Sequence, residues 1–473
     1  MDETQMLGDE YCIGEFGDKR LCKTGKLLYG RMLERGTVCI RHLADDRATQ
    51  KRFDRLLEHP DVTPQEIIRH GSSRTAAAAA GRHVLAIQDT SELDYTGHGR
   101  RTEGLGKISN SKGAGLFIHP VLAIDADRRD CLGIAHQQAW VRTKTAARNY
   151  DLLPIEEKES YRWLQAAQAA KQCLEQAAEV TVIADRESDL YEQWDRIPNG
   201  HTHLLTRSHF DRKLAEGGSL CRWLAAQSAV ACFALEVPAR AAGRPYKSTD
   251  GARSAARTAH CAHMEVRFGQ VRITRPQHCR ARQPSIELSV VDVLELTHTV
   301  VPGEQPVHWR LLSTHAVADV QDALRLVDWY RQRWQIEQLF RTLKRQGLGL
   351  EASQLEDAGA LLKLASMAVL VAARTLQLVN ARDGQSQQRA SDAFDGDEIT
   401  VLEQLQGKLE GKTDKQKNPY PRHGMAWAAW TIARLGGWMG YASEAKPGPV
   451  TMLHGLQRFD SIVQGWKLAK MWA

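Results

Sequence analysis

From residue 18 to about residue 70, apolar positions recur every three or four residues, the rhythm of amphipathic helices. Asp18 stands where a helix cap belongs, ahead of a helix running through Arg35 with Leu21, Leu28 and Met32 on one face. A second helix is predicted from Ala44 to Glu58, and Thr63-Pro64 opens a third in N-cap and first-turn order. Gly71-Ser-Ser and the alanines from Ala76 to Ala80 read as a small-residue linker. Short unbroken apolar runs then take over. Val84–Ile87, inside His83–Asp89, and Glu179–Ala184 each read as a buried strand. Pro120–Asp125 with Cys131–Trp140 forms a strand pair, and His203–Arg207, Glu287–Leu296 and His308–Ser313 add further strands. Ile155–Ala178 is predicted as one long amphipathic helix. Strands and helices in this alternation define an α/β fold with helical ends.

One stretch breaks the alternation. It spans residues 211–283, and between Arg240 and Arg282, with Gly and Pro interspersed, ten Lys or Arg stand against only Asp250 and Glu265. Here the pattern predicts a loop over Arg240–Arg257 and a β-hairpin over His263–Arg275, a basic insertion suited to tracking a phosphate backbone. After Leu378 come a polar linker, Asn380–Asp397, and a basic loop, Lys408–Arg422. The last segment is helical and carries Trp427, Trp430, Trp438, Trp466 and Trp472, enough aromatic surface for a compact core or an oligomer interface.

Composition narrows the classes. The chain has 473 residues, 42% apolar and 25% charged, which suits two to four globular domains. Its most apolar run, Leu364–Ala373, is closed by Lys363 and Arg374, so no membrane span is expected. The start, Met1-Asp-Glu-Thr, lacks the layout of a signal peptide. Nine cysteines without a C-x-x-C pair suggest reduced thiols and a cytoplasmic setting. A net charge of +6 identifies no partner by itself. ATP binding is not expected, because Gly106-Lys107 is followed by Ile108 and Arg101 stands where the first P-loop glycine belongs. His260, Cys261, His263, His278 and Cys279 match no common zinc spacing.

The candidate chemistry lies in three acids. Asp89 and Asp185 each end an apolar strand, the second within Asp185-Arg-Glu-Ser-Asp189. Taken singly, each is equally a turn or cap residue. Glu337 lies in Tyr330–Lys344, where Tyr330, Arg333, Glu337 and Lys344 fall at roughly 0°, 300°, 340° and 320° around a helix. Arg341 and Trp334 lie close to the same line, while Ile336, Leu339 and Leu343 take the other side. A solvated, ion-paired face is the plain alternative. Within the segment, however, Arg331, Arg333, Arg341 and Lys344 outnumber Glu337, and the excess charge suits phosphates.

Tyr330, Arg333, Glu337 and Lys344 fit the signature Y-x2-R-x3-E-x6-K at every position. The chain thereby resembles the IS-four group of cut-and-paste DDE transposases, the group of the Tn-five transposase. The resemblance implies a ribonuclease-H-like catalytic core over residues 73–378, with a β-rich basic insertion at about 211–300. It also implies a helical DNA-binding domain over 1–72 and a helical dimerisation domain over 379–473. Asp89, Asp185 and Glu337 would be both the catalytic and the metal-binding residues, holding two Mg²⁺ or Mn²⁺ ions. Tyr330, Arg333, Arg341, Lys344 and Arg207 would contact DNA, and Trp309 and Trp334 would stack on a flipped base. For Trp309 the residues alone equally support a core position. The implied partners are double-stranded DNA, as terminal repeats and target, and a second copy of the chain when ends are paired. A bacterial, nucleoid-associated location follows. The implied steps are nicking, hairpin formation, hairpin opening and joining of 3′ ends to target. A regulatory DNA-binding relative and a simple metal-dependent nuclease are the rivals.

Overall fold

The computed structural model describes residues 12–97, 103–108, 113–143, 150–240, 256–344, 347–384, 386–441 and 444–472. Most of the loop expected at Arg240–Arg257, with Gly99, Arg101 and the first eleven residues, lies outside them. Asp18 caps α1 (Lys19–Arg35) through the Arg20 N–H at 2.7 Å. A short α2 (Ile40–Leu43) leads to α3 (Arg47–Glu58), which starts later than expected because Asp46 is its cap, accepting from the Thr49 N–H. Thr63 caps α4 (Pro64–Ala79).

The expected linker is helix. α4 runs through Gly71-Ser72-Ser73 and the alanines, and so through the boundary expected between residues 72 and 73. Alanine is the strongest helix former, and the Ser72 and Ser73 hydroxyls donate back to the carbonyls of Arg69 and His70. Gly71 admits a neighbour, since a Cβ there would meet Leu370 at 2.5 Å.

The strands that follow are β1 (His83–Gln88), β2 (Ser91–Asp94), β3 (Gly106–Lys107), β4 (Ala114–Asp125) and β5 (Cys131–Trp140). After α5 (Tyr161–Cys173) come β6 (Glu179–Ala184), α6 (Tyr191–Arg196), β7 (Thr202–Arg207), α7 (Leu220–Ala225), β8 (Ala231–Val237), β9 (His260–Thr274), β10 (Ser285–Glu295) and β11 (His308–Ser313). Among the described residues these strands form one mixed sheet in the order β2-β4-β1-β6-β7-β11-β10-β9-β8, with β3 and β5 both on β4. β1, β6 and β7 run parallel, and the other pairings are antiparallel. The fold is mixed α/β around this large sheet.

Two further expectations are corrected. The predicted helix over Ile155–Ala178 is a single 3-10 turn at Ile155–Glu157 followed by α5. It ends early because the Ala178 N–H goes to the Arg82 carbonyl at 2.8 Å, which draws the chain into the sheet. The predicted hairpin over His263–Arg275 is instead part of one 15-residue strand, β9, paired with β8 on one side and β10 on the other. Its alternation continues through Gly269, where a Cβ would stand 2.6 Å from the Trp223 ring. The insertion therefore lengthens the sheet instead of folding on itself.

The chain then enters α8 (Val320–Gln332), α9 (Gln335–Leu343), α10 (Ala358–Ala381), α11 (Gly396–Leu409), α12 (Met425–Leu435) and α13 (Pro449–Trp472). α10 corrects the reading of Leu364–Ala373. It is long and apolar enough to cross a membrane, and 78% of its most apolar window is buried within the fold. Lys363 and Arg374 do not close it, because Lys363 donates to the His59 carbonyl at 2.7 Å and Arg374 pairs with Glu398 at 2.8 Å. α10 packs on α4, β5, α9, α12 and α13, and one apolar cluster joins it to the N-terminal helices and one face of the sheet. It also crosses the boundary expected after residue 378. Trp427 is fully buried in the core of the last helices, where its indole donates to Gln406 at 2.7 Å, and Trp430 is also buried.

Arg374 of α10 and Glu398 of α11 form a buried ion pair, and Asp460 of α13 is buried near enough to feel both. Burial pushes the Asp460 carboxyl up to about 8, against the pull of Arg374. Replacing Arg374 by Met removes the cation paired with the buried Glu398 carboxylate, and this is expected to cost about 3–5 kcal/mol in urea unfolding. A loss below about 1 kcal/mol would show that the pair does not hold the C-terminal helices to the core.

Candidate active site

β1 and β6 pair in parallel with His83 opposite Glu179 and Ile87 opposite Ile183, a constant offset of 96. Asp89 and Asp185 keep that offset, each following the carboxyl end of its strand. Neighbouring strands lie about 4.8 Å apart, so these two acids emerge side by side. β1 and β2 both pair with β4, through Gln88 opposite Val121 and Ser91 opposite Ile118. Asp89 and Thr90 thus face Pro120 and His119. Proline has no N–H to give the ladder, and here the strand breaks and Asp89 leaves the sheet. The Asp89 carboxylate accepts from the Thr90 N–H at 2.8 Å.

Asp185 carries out the plain role that its position suggested. Its Oδ1 accepts from the Glu187 N–H at 2.8 Å and caps the single turn Arg186–Ser188. The other acid of the motif, Asp189, is buried. It accepts from the His209 and Phe210 N–H groups and pairs with Arg212 at 2.5 Å, tying this turn to the start of the insertion. Arg162 of α5 joins the two acid-bearing turns, donating to Thr90 Oγ1 at 3.0 Å and pairing with Glu187 at 2.9 Å.

Glu337 comes from α9, and here the single helix expected over Tyr330–Lys344 is corrected. α8 and α9 are separated by a tight turn at Arg333–Trp334, with N–H bonds from Arg333, Trp334 and Ile336 to the carbonyls three residues back. Arg333, at this turn, pairs with Asp89 (Nη1 to Oδ2, 2.8 Å). Ile336, Leu339 and Leu343 are buried as expected, while Trp334 is 51% exposed.

Asp89, Asp185, Glu337, Arg333, Arg341 and Lys344 all line one cavity of about 590 Å³. Burial is the main cause that lifts the Asp89 carboxyl to about 7; Asp185 and, more weakly, Glu337 add to it, while Arg333 and the Thr90 N–H oppose it. Asp185 and Glu337, near enough to Asp89 to raise its proton affinity, form with it and the open volume beside them a donor set that suits a hard divalent cation. A second cavity of about 450 Å³ shares Asp185 and Arg333 and is lined by Arg207, Trp309 and Tyr330. Trp309 is therefore a half-buried wall residue, its ring centroid 6.0 Å from that of Tyr330. Arg207 donates to the His308 carbonyl at 2.8 Å. Tyr330 itself is buried, which raises its phenol.

Sequence reasoning missed Glu351, a fourth acid in the first cavity that lies 3.7 Å from Lys344. It also missed Arg162 and His119, whose ring bonds Thr90 Oγ1 at 2.8 Å and Gln88 at 3.1 Å. The Pro120 gap was the signal for His119; nothing in the local sequence pointed to Glu351 or Arg162. Two of the residues with zinc-like chemistry serve elsewhere: His260 pairs with Glu295 at 2.9 Å, and His263 meets His298 at 3.3 Å.

An acid-lined cleft at the carboxyl ends of neighbouring parallel strands is a setting for phosphoryl-transfer chemistry. Residues 164–372 match the family model described as a transposase DDE domain. The matched span holds Asp185 and Glu337 and begins after Asp89, and the match supports a DDE transposase. Among solved structures, a cryo-EM structure of the piggyBac transposase synaptic complex with hairpin DNA aligns over 76% of this chain and 67% of that one. The identity is 9% and the TM-score 0.35.

An Asp89 carboxyl at about 7, against about 3.9 in an unfolded chain, means that the fold holds this proton more tightly. Its contribution to stability is full below about pH 4 and is lost as pH rises through 7. In EDTA, the unfolding free energy of the wild type relative to Asp89→Asn should fall over that window, by no more than about 1.4 kcal/mol per pH unit. A difference that stays flat between pH 4 and 8 would mean that burial and the neighbouring acids do not raise the Asp89 carboxyl.

Proposed function

We propose that the chain is a cut-and-paste DNA transposase of the IS-four group with a ribonuclease-H-like core, in which Asp89, Asp185 and Glu337 form the metal-binding triad. The observation that carries this reading is the shared register of β1 and β6, which sets two acids side by side in the cavity that Glu337 also lines. The core assignment is supported by the path β5-β4-β1-β6-β7, an antiparallel unit continued by two parallel strands.

Divalent ions held there, two Mg²⁺ or Mn²⁺ in this reading, would activate the attacking oxygen and stabilise the leaving one. The protein's own groups do the rest. Arg333 spans the two cavities and would lie against the phosphate next to the scissile bond. Lys344 and Arg341, which also line the first cavity, would hold the neighbouring phosphates. The second cavity, with Arg207 at its wall, offers Trp309 and Tyr330 to an unstacked base, and Trp334 offers an exposed aromatic face. The basic insertion and the N-terminal helices extend this track along terminal-repeat and target duplexes. The sequence of steps is nicking, attack of the freed 3′ hydroxyl on the opposite strand, hairpin opening and joining to target. The Trp-rich C-terminal helices pair two copies on two ends.

The test is incubation of the purified chain with DNA carrying its flanking terminal repeats and Mg²⁺. Hairpin-ended products are expected. Nicking without hairpins would indicate a simple nuclease, and binding without cutting a regulatory relative. Glu337→Gln should lower cleavage on the order of 10³-fold or more while end binding in a gel-shift assay stays within a few-fold. Cleavage retained by this variant would remove Glu337 from the site.

A further inference from the structure

The register that pairs Asp89 with Asp185 also pairs His83 with Glu179 at the opposite ends of β1 and β6. Six residues of strand separate the two pairs, about 20 Å at a rise of about 3.3 Å each. His315, just beyond β11, joins this second pair. Its Nδ1 lies 3.5 Å from Glu179 Oε1, and the His83 Nδ1 lies 3.8 Å from Glu179 Oε2. His203 of β7 brings its Nε2 to 3.6 Å from Oε1 and stacks on His315, with ring centroids 4.0 Å apart.

We propose that His83 Nδ1, Glu179 and His315 Nδ1 form a second metal site, selective for Zn²⁺ or a similar imidazole-binding transition ion. One ligand atom from each lies within 4.8 Å of the other two. Ligands at 2.0–2.1 Å around a tetrahedral zinc are about 3.3 Å apart, so the two histidine–Glu179 distances need to shorten by about 0.5 Å or less, and the set as a whole by up to about 1.5 Å, to close the shell. A water or His203 would take the fourth position.

Three features support this reading. First, both rings are already aimed. The Nε2 atoms of His83 and His315 lie 2.8 and 2.7 Å from the Thr181 hydroxyl, which is fully buried between them. An oxygen with two lone pairs can accept from both Nε2–H groups, and that tautomer leaves both Nδ1 lone pairs free for a metal. Second, among the described residues no Lys or Arg lies within ion-pair distance of Glu179, whose partners are the three histidines. A carboxylate with only imidazoles around it is open to a dication. Third, the Trp329 ring meets His83 edge-on at 4.7 Å and lies 5.1 Å from His315, a wall that limits how the rings can turn. Such a site would tie β1, β6 and the segment leading into α8 together, well away from the three acids. Imidazole donors favour zinc over Mg²⁺, so the two sites would select different ions. The inference stands whether or not the transposase reading holds.

The experiment uses the full chain, stripped with EDTA and exchanged into chelator-free buffer, carrying Asp89→Asn and Asp185→Asn to silence the acid cleft. Zn²⁺ is titrated by calorimetry, and Co²⁺ is added for the visible absorption of a tetrahedral nitrogen-oxygen site. One equivalent of zinc should bind at micromolar or tighter affinity and raise Tm, and Mg²⁺ at the same concentration should not. His315→Gln should weaken zinc binding at least about 100-fold and abolish the Co²⁺ band. Glu179→Gln, an isosteric change at a partly exposed position, should do the same if the histidine variant does not fold. Zinc binding unaltered in a folded His315→Gln or Glu179→Gln chain, or none at tens of micromolar, overturns the proposal.

Discussion

The parallel pairing of β1 with β6 is the constraint on which the rest of the molecule depends. One offset along two buried strands determines which side chains stand next to each other at both ends of the sheet. A slip by one residue would turn Asp185 to the other face and part it from Asp89, and it would also separate Glu179 from His83. The apolar residues Val84–Ile87 and Val180–Ile183, apart from Thr181, fix that register by burying both faces of both strands. Each fully buried Val, Leu or Ile is worth about 1.5–3 kcal/mol against exposure, more than enough to oppose the slip. The core is thus what holds like charges together.

Holding them together is costly, and the structure contains the compensation. Asp89 gives up its proton only near pH 7, because burial and its two acidic neighbours disfavour its charge. Arg333 opposes this from the turn between α8 and α9. Without that turn, a straight helix would carry Arg333 and Glu337 as adjacent members of one face, each free to satisfy the other. With it, Arg333 reaches across to Asp89, 244 residues earlier in the chain, while Glu337 faces the cavity. α10 supports this arrangement from beneath, since it packs on α9, on the N-terminal helices and on β5.

The signals in the sequence were strongest where one physical effect acts alone. Buried strands read directly from apolar runs, and the caps Asp18 and Thr63 read from their side chains, because a cap is a local bond between neighbours. The three acids were legible as strand-end and signature residues, yet only the fold brings them to one cavity. The failures share a cause: in each, a distant partner overrode a local preference. Gly71 was read as part of a linker and is a helical contact with Leu370; the hairpin expected over His263–Arg275 is one strand, in which Gly269 leaves room for Trp223. The bend at Arg333 has no proline or glycine to announce it. Glu351, Arg162 and the histidines at the other end of the strands sit in unrelated sequence contexts, and no spacing rule reaches across them.

Arg333 shows most directly how the two cavities work as one cleft. Its guanidinium lines both and is a direct partner of Asp89, so in the absence of other ligands it supplies the positive charge that the acids require. A dication among those acids would take over that neutralising role, and the arginine would be free to turn its donors to a phosphate. Arginine suits this exchange better than lysine, because its planar fork binds carboxylate and phosphate in the same geometry and never loses its proton. In this account metal and nucleic acid would favour each other's binding: each new ligand relieves the charge imbalance that the other creates. The coupling needs no moving domain, only one side chain between two partners of like charge.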